Sequence, residues 1–151
     1  MLILKIMGWK KMKISTRGRY GLRALVGLAM YQDDKAIPLR KIAEREKISE
    51  QYLEQLFASL RKAGVVSSVR GAHGGYLLNK EPEEITAGDV IRILEGPISP
   101  VDCVMDSYKC EQVNSCVTHD LWNILSEQIG ELLDSYTIAD LMKKAEALEK
   151  S

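Results

Sequence analysis

The chain of 151 residues is 46% hydrophobic and 28% charged, which is enough for one ordinary hydrophobic core or two small ones. These figures exclude a peptide and a large enzyme. No run approaches the roughly 18 consecutive apolar residues that a membrane helix requires, and the opening segment carries its lysines after its apolar residues, the reverse of a secretory signal. We therefore expect a soluble, cytoplasmic protein.

The formal net charge of zero conceals a strong asymmetry along the chain. Residues 1–80 contain sixteen Lys and Arg against six Asp and Glu, whereas residues 81–151 contain five against fifteen. The two parts therefore carry formal charges of +10 and −10. A basic module of this kind favours binding to a polyanion such as nucleic acid, although two oppositely charged halves can also simply attract each other.

The chain opens with residues 1–11, which fit no later pattern and which we interpret as an N-terminal extension, a misassigned start or an extra strand. Ser15 and Thr16 are suited to capping a first helix that ends before Asp33. Its apolar positions form a stripe wide enough for a core helix. They are Tyr20, Leu22, Leu25, Val26, Leu28, Ala29 and Met30.

The next two predicted helices form a helix-turn-helix candidate. Pro38 opens a short helix through Glu46, and Ser49 caps the next helix after a tight connection. Gly64 supplies the stop of that second helix. Ordinary helical hairpins share this pattern, so the signal is weak by itself. The apolar positions of the second helix are Leu53, Leu56, Phe57 and Leu60.

A β-hairpin is predicted directly after these helices. Residues 65–70 are rich in valine and serine, residues 71–75 contain three glycines, and residues 76–79 supply a return strand. A helix, a helix-turn-helix and then a hairpin is the order of a winged-helix domain, in which the hairpin is the wing.

One face of the helix after Ser49 is polar and lies opposite its apolar stripe. Glutamine can pair with adenine and glutamate can accept from the cytosine amino group, each contact giving about 1–3 kcal/mol of discrimination. A solvated polar face has the same composition. Glycines beside Arg70 would let it approach a groove or a phosphate. The predicted DNA contacts are Gln51, Glu54, Gln55, Ser59, Lys62 and Arg70, with Arg17, Arg19, Arg40 and Lys41 as further phosphate contacts.

The acidic part of the chain contains further helices. Thr86 and Asp89 form a capping box before a short helix from Val90 to Leu94. Later, apolar residues recur at spacings of 3, 4, 3 and 4, and Thr137 caps a final helix to about Leu148. Two heptads also suit a core helix of the same chain, but the width of the seam favours dimerisation. The seam residues are Trp122, Leu125, Ile129, Leu132 and Tyr136, with Leu121 and Leu133 beside them.

Residues 95–118 form a long predicted loop with two prolines and three cysteines in the pattern C-x6-C-x5-C. An odd cysteine count in an expected cytoplasmic protein favours a metal site or reactive thiols over a disulfide framework. An iron–sulfur cluster, a zinc ion without its usual C-x2-C knuckles, and free redox thiols all remain open from the spacing. The candidate ligands are Cys103, Cys110, Cys116 and His119.

From about residue 12 to residue 148 the chain resembles the winged-helix family of iron–sulfur cluster regulators typified by IscR. The resemblance implies that Glu54 helps to decide which operator class is bound with and without a cluster. It also implies a [2Fe-2S] cluster on Cys103, Cys110, Cys116 and His119. The matching motifs are Ser15-Thr16-Arg17-Gly18-Arg19-Tyr20, Tyr52-Leu53-Glu54-Gln55-Leu56-Phe57, Val69-Arg70-Gly71 and Gly74-Gly75-Tyr76.

The predicted fold is mainly α with a small β-hairpin wing, a winged helix-turn-helix domain plus a long dimerisation helix. We expect four segments along the chain. They are an N-terminal extension or misassigned start at 1–11, a winged helix-turn-helix DNA-binding domain at 12–94, a cysteine cluster-binding loop at 95–118, and a dimerisation helix with a C-terminal helix at 119–151.

The predicted function is a homodimeric DNA-binding transcription regulator that senses iron–sulfur cluster status and controls iron–sulfur biogenesis genes. Its expected partners are a double-stranded DNA operator, a second copy of the chain and iron–sulfur assembly proteins, with no membrane. One alternative is a cluster-free winged-helix regulator of sulfur or cysteine metabolism that acts through a protein partner. Another is a small iron–sulfur electron-transfer protein. No catalytic constellation is recognisable, so we do not expect an enzyme.

Overall fold

The computed structural model describes residues 14–105 and 111–151, so the predicted segment 1–11 lies outside the described residues. Within the described ranges, no helix combines the length and the apolar character needed to cross a membrane. The elements in chain order are α1 (Thr16–Tyr31), α2 (Leu39–Glu46), α3 (Glu50–Lys62), β1 (Val66–Val69), β2 (Gly75–Leu78), a 3-10 turn (Pro82–Glu84), α4 (Ala87–Glu95), α5 (Asp102–Met105), α6 (His119–Asp134) and α7 (Ile138–Glu149).

The predicted helix ends are confirmed where local capping chemistry defines them. The Ser15 and Ser49 hydroxyls accept hydrogen bonds from backbone N–H groups in the first turns of α1 and α3, at 3.2 and 3.1 Å. Thr86 and Asp89 form the predicted capping box, with bonds of 3.0 and 3.1 Å. Gly64 follows α3 with a φ of 81°, a conformation that glycine adopts without strain.

Several elements differ from the sequence prediction. The wing strands are Val66–Val69 and Gly75–Leu78 rather than residues 65–70 and 76–79. The helix after Thr86 begins at Ala87, three residues before the predicted start at Val90, and extends to Glu95, one residue beyond the predicted end at Leu94. The predicted loop at residues 95–118 contains the short helix α5, whose four residues are too few to show a helical period.

Helices α1, α2, α3 and α4 enclose one hydrophobic core. Helix α1 approaches α4 closely at Gly21, where an added methyl carbon would lie 2.2 Å from the Leu94 Cδ1 atom. The first residue of α7, Ile138, also enters this core and fixes the start of the last helix to it. The largest fully buried side chains are Leu25, Leu28, Leu53, Leu56, Phe57, Leu60, Ile85, Val66, Val90 and Ile138.

The antiparallel hairpin β1–β2, with its connecting turn, is the wing. Its second strand is joined to the helical core, because Tyr76 exchanges two backbone hydrogen bonds of 2.9 Å with Ile37. The Tyr76 ring also meets the Phe57 ring edge-on, with 5.1 Å between centroids. A two-stranded hairpin is marginally stable alone, so these contacts set the orientation of the wing relative to α3.

Helix α6 is attached to α4 near its C-terminal end. The two terminal nitrogens of Arg92 donate to the Asp134 carboxylate at 2.7 and 2.9 Å. These hydrogen bonds lower the pKa of Asp134 below its ordinary value. Two backbone hydrogen bonds of 2.8 Å join the start of α4 to the connection between α6 and α7. The C-terminal end of α6 is therefore fixed to the core.

We expect Gly75→Ala to lower the free energy of unfolding by about 2 kcal/mol or more. Gly75 has a φ of 154°, and an added Cβ would lie 2.1 Å from the Ile37 carbonyl oxygen. Chemical denaturation measures the loss. Gly71→Ala is the matched control, because Gly71 has a φ of 111° but no atom within 4 Å of the added Cβ. Equal losses in the two variants would contradict the role assigned to the contact with Ile37.

Candidate nucleic-acid interface and metal centre

The polar face of α3 is exposed, on the side away from the hydrophobic core. Gln51, Glu54, Gln55 and Lys62 are all exposed, whereas the apolar residues of the same helix are buried. Ser59, the remaining predicted contact on α3, is half-buried, and its hydroxyl donates to the Gln55 carbonyl at 3.4 Å. The helix therefore presents amide and carboxylate groups that can hydrogen-bond to base edges in a major groove.

The first turn of α3 rests against the first turn of α1. The Tyr52 hydroxyl lies 3.0 Å from the Thr16 Oγ1 atom. The Tyr52 and Tyr20 rings meet edge-on, with 6.3 Å between centroids and an interplanar angle of 84°. These aromatic and hydroxyl contacts position the exposed face of α3 relative to the basic N-terminal turn of α1.

Most of the predicted phosphate contacts are exposed cations. Arg17 differs, because it is half-buried and its Nε donates to the Leu94 carbonyl at 3.2 Å. Arg40 lies 3.9 Å from Glu44 on the same helix, a weak exposed pair that leaves its charge available. The exposed predicted cations are Arg19, Arg40, Lys41, Lys62 and Arg70.

One basic residue near the wing was missed from the sequence. Arg61 is exposed at the end of α3, and its Nη1 donates to the Ser68 hydroxyl on β1 at 3.4 Å. It therefore lies between the two elements expected to enter DNA grooves. Its charge next to Lys62 was the available signal, but the contact with the wing was not readable from helical spacing.

Two of the predicted metal ligands, Cys116 and His119, lie at the start of α6. Cys103 is half-buried on α5, Cys116 is exposed before α6, and His119 is the first residue of α6. The Cys116 Sγ lies 3.3 Å from the Thr118 Oγ1, and this hydrogen bond lowers the pKa of the Cys116 thiol below its ordinary value. The fourth predicted ligand, Cys110, lies outside the described residues.

The imidazole of His119 has an unusual environment. Its Nδ1 atom is buried and finds no hydrogen-bond partner among the described residues. A buried polar atom without a partner costs free energy, and coordination by a metal removes that cost. Within residues 14–105 and 111–151, however, no three His, Cys, Asp or Glu side chains are grouped closely enough to hold a metal ion. In the described structure, a backbone hydrogen bond of 3.3 Å joins His119 to Cys116, but Cys103, Cys116 and His119 are not grouped closely enough to hold a metal ion.

Helix α6 carries an exposed apolar face that the predicted seam describes only in part. No residue of this helix is fully buried. The seam residues Trp122, Leu125 and Ile129 are half-buried, whereas Leu132 and Tyr136 are exposed. Ile124 was not predicted as a seam residue, but it is 55% exposed. Leu121, which was predicted to lie beside the seam, is 54% exposed. Because apolar residues occupy two adjacent sides of α6, the sequence period did not distinguish the outward side from the side that faces the chain.

The sequence model of the Rrf2 family, described as an iron-dependent transcriptional regulator, matches residues 14–144. The chain belongs to the Rrf2 family. It is therefore a DNA-binding transcription regulator, and the predicted fold class and family resemblance are confirmed. Relatives that match the chain include transcription regulators.

Two kinds of Rrf2-family relative resemble the chain closely. It is 48% identical over 130 residues to the transcriptional regulator CymR of Bacillus subtilis, covering 86% of this chain and 89% of CymR. It is 41% identical over 138 residues to the transcriptional regulator IscR of Yersinia pestis, covering 91% of this chain and 84% of IscR.

Solved structures of both kinds match the fold. The structure of B. subtilis CymR, described as the global cysteine regulator, has a TM-score of 0.72 at 47% identity, covering 87% of this chain and 97% of CymR. The structure of T. potens IscR also has a TM-score of 0.72, at 46% identity, covering 93% of this chain and 90% of IscR.

We expect Gln55→Ala and Lys62→Ala to affect DNA binding in different ways. Gln55→Ala should reduce discrimination between the preferred duplex and single-base variants by about 1–3 kcal/mol, because the lost amide reads a base edge. Lys62→Ala should weaken all duplexes alike and reduce the slope of log affinity against log salt by about 1.

Fluorescence titration at several salt concentrations measures both effects, with a duplex selected by the wild-type protein from a random pool. Glu83→Ala, on the exposed acidic 3-10 turn, is the control and should change neither quantity. Uniform weakening by Gln55→Ala would argue against a base contact.

Proposed function

We propose that this Rrf2-family regulator senses iron–sulfur status and controls iron–sulfur biogenesis genes. Its proposed cofactor is a [2Fe-2S] cluster held by Cys103, Cys110, Cys116 and His119. When bound, such a cluster supplies a redox-active centre, and histidine in place of cysteine raises its potential. The observation that carries the proposal is the buried Nδ1 of His119, which lacks a hydrogen-bond partner among the described residues.

The chemistry of Cys116 supports the same proposal. The thiolate is the form of cysteine that binds metal, and the hydrogen bond with Thr118 lowers the pKa of this thiol. The backbone N–H of His119 donates to the Cys116 carbonyl at 3.3 Å. The residues that carry the thiol and the imidazole therefore lie in the same turn of the chain. Similarity to IscR proteins over most of the chain adds to this support.

A second candidate function is cluster-free regulation of sulfur or cysteine metabolism through a protein partner. The specific observation that favours it is the exposed thiol of Cys116, whose lowered pKa also suits a reactive cysteine. The similarity to CymR, described as a global cysteine regulator, points the same way. Membership in a family of transcription regulators gives no support to the small electron-transfer protein considered from the sequence.

Purification without oxygen distinguishes the two candidates. We expect coloured wild-type protein with about two iron and two sulfide ions per chain, and Cys110→Ala should lose the visible absorption and change operator choice. His119→Ala should lose or shift the absorption bands. His73→Ala is the matched control, since His73 is exposed in the wing turn and should leave the spectrum intact. Colourless, iron-free wild-type protein that selects its operators normally would overturn the cluster proposal and favour the second candidate.

We also propose that the regulator acts as a homodimer through the exposed apolar face of α6. Leu121, Ile124 and Leu132 lie on this face, and Tyr136 extends it beyond the helix. Exposed apolar residues grouped on one long helix are typical of an interaction surface. Two copies would present residues 49–80 to the two halves of a roughly palindromic operator, as other helix-turn-helix dimers do.

We expect Leu132→Asp to convert a dimer into a monomer and to weaken operator binding at least tenfold, because a buried unpaired carboxylate opposes association. Sedimentation velocity measures the oligomeric state. Leu148→Asp is the matched control, because Leu148 is 76% exposed on α7, outside the proposed face. A wild-type monomer, or equal dissociation in both variants, would contradict the proposed interface.

A further inference from the structure

The last residue of α4 reaches the first turn of α1. The Glu95 carboxylate accepts hydrogen bonds from the Gly18 backbone N–H at 2.9 Å and from the Ser15 hydroxyl. Beside it, the Arg17 Nε donates to the Leu94 carbonyl. The first N–H groups of a helix lack partners within the helix and carry partial positive charge, so a carboxylate is favoured there. In α1, that carboxylate comes from another helix, distant in the chain.

The contact between these two helices leaves little room for independent movement. A methyl group at Gly18 would lie 2.9 Å from the Glu95 Oε1 atom. One turn further along α1, a methyl group at Gly21 would meet the Leu94 side chain. Both glycines therefore allow the end of α4 to pack directly against the first turns of α1.

The same turn of α1 contacts the DNA-reading helix. Thr16 is within hydrogen-bond distance of the Tyr52 hydroxyl, and Tyr20 packs on the Tyr52 ring. Tyr52 lies in the first turn of α3, shortly before Glu54 and Gln55 in the sequence. The first turn of α1 is thus held by Glu95 from α4 and by Tyr52 from α3.

Glu95 is also the last helical residue before the cysteine segment. The next residue, Gly96, has a φ of 87°, and the chain leaves α4 there towards α5 and Cys103. We propose that Glu95 is a positioning residue for DNA binding. It holds the first turn of α1, and through Tyr52 the first turn of α3, in the orientation that the operator requires. It also makes that orientation responsive to the state of the cysteine segment.

Operator affinity of the full chain tests the positioning role. We expect Glu95→Gln to weaken binding about three- to tenfold and Tyr52→Phe to weaken it to a similar extent. The double variant should be no weaker than the weaker single variant, because both changes release the same turn. Ser15→Ala removes one of the hydrogen bonds to Glu95 and also the side-chain cap of α1, so it should weaken operator binding in the same direction.

Asp89→Ala is the matched control, because it removes the carboxylate that caps α4 itself and makes no contact assigned to α1. It should lower the melting temperature without coupling to Tyr52→Phe in operator binding. If the fold-losses of operator affinity for Glu95→Gln and Tyr52→Phe multiply in the double variant, the two residues act independently. That result would overturn the positioning role. Coupling of the same size for Asp89→Ala would overturn it too, because general destabilisation would then explain the effect.

The link to the cysteine segment rests on the proposed function. For wild-type protein purified without oxygen, we expect operator choice to change when a ferrous chelator removes the iron. In Glu95→Gln, the ratio of operator affinity before chelation to operator affinity after chelation should approach one. If Glu95→Gln contains iron but keeps the wild-type ratio, the link to the cysteine segment is overturned, whereas the positioning role is not. Iron-free wild-type protein would overturn the proposed function and the link together, while the double-variant comparison would still decide the positioning role.

Discussion

The close approach of α1 and α4 is the contact on which the rest of the described structure depends. Gly21 leaves space for Leu94 between the two helices, and the Glu95 carboxylate accepts a hydrogen bond from a backbone N–H in the first turn of α1. Helices α2 and α3 pack on α1, whereas α6 is fastened to α4 through Arg92 and Asp134. The elements expected to read DNA and the helix that carries the exposed apolar face are therefore both joined to the packed pair of α1 and α4.

Much of the fold was predictable because its signals are local. Ser15, Ser49 and Thr86 cap the helices that follow them, and each cap is completed within three residues. The inward and outward sides of α3 follow from the spacing of Leu53, Leu56, Phe57 and Leu60, because burial of that stripe forces the opposite side outward. The wing follows from glycines and β-branched residues placed directly after this helix.

The remaining features depend on contacts between distant residues, for which a single sequence carries no local signal. The hydrogen bonds of Glu95 to Ser15 and Gly18 join residues that are 80 and 77 positions apart. On α6, Leu121 and Trp122 are adjacent in sequence and both apolar. Only packing of the helix against α4 and α5 determines which of the two is the more exposed. Among the described residues, Cys103, Cys116 and His119 do not form a group close enough to hold a metal ion, and this arrangement likewise depends on contacts between distant residues.

The attachment of β2 to Ile37 constrains how this regulator can acquire a new target sequence. Ile37 directly precedes Pro38, the N-cap of α2, so the hairpin is hydrogen-bonded to the start of the helix-turn-helix. A tilt of α3 that improves its fit to different bases must also swing Arg70 at the hairpin tip along the duplex. Evolution of operator preference should therefore proceed through paired substitutions, one on the helix and a compensating one at the tip.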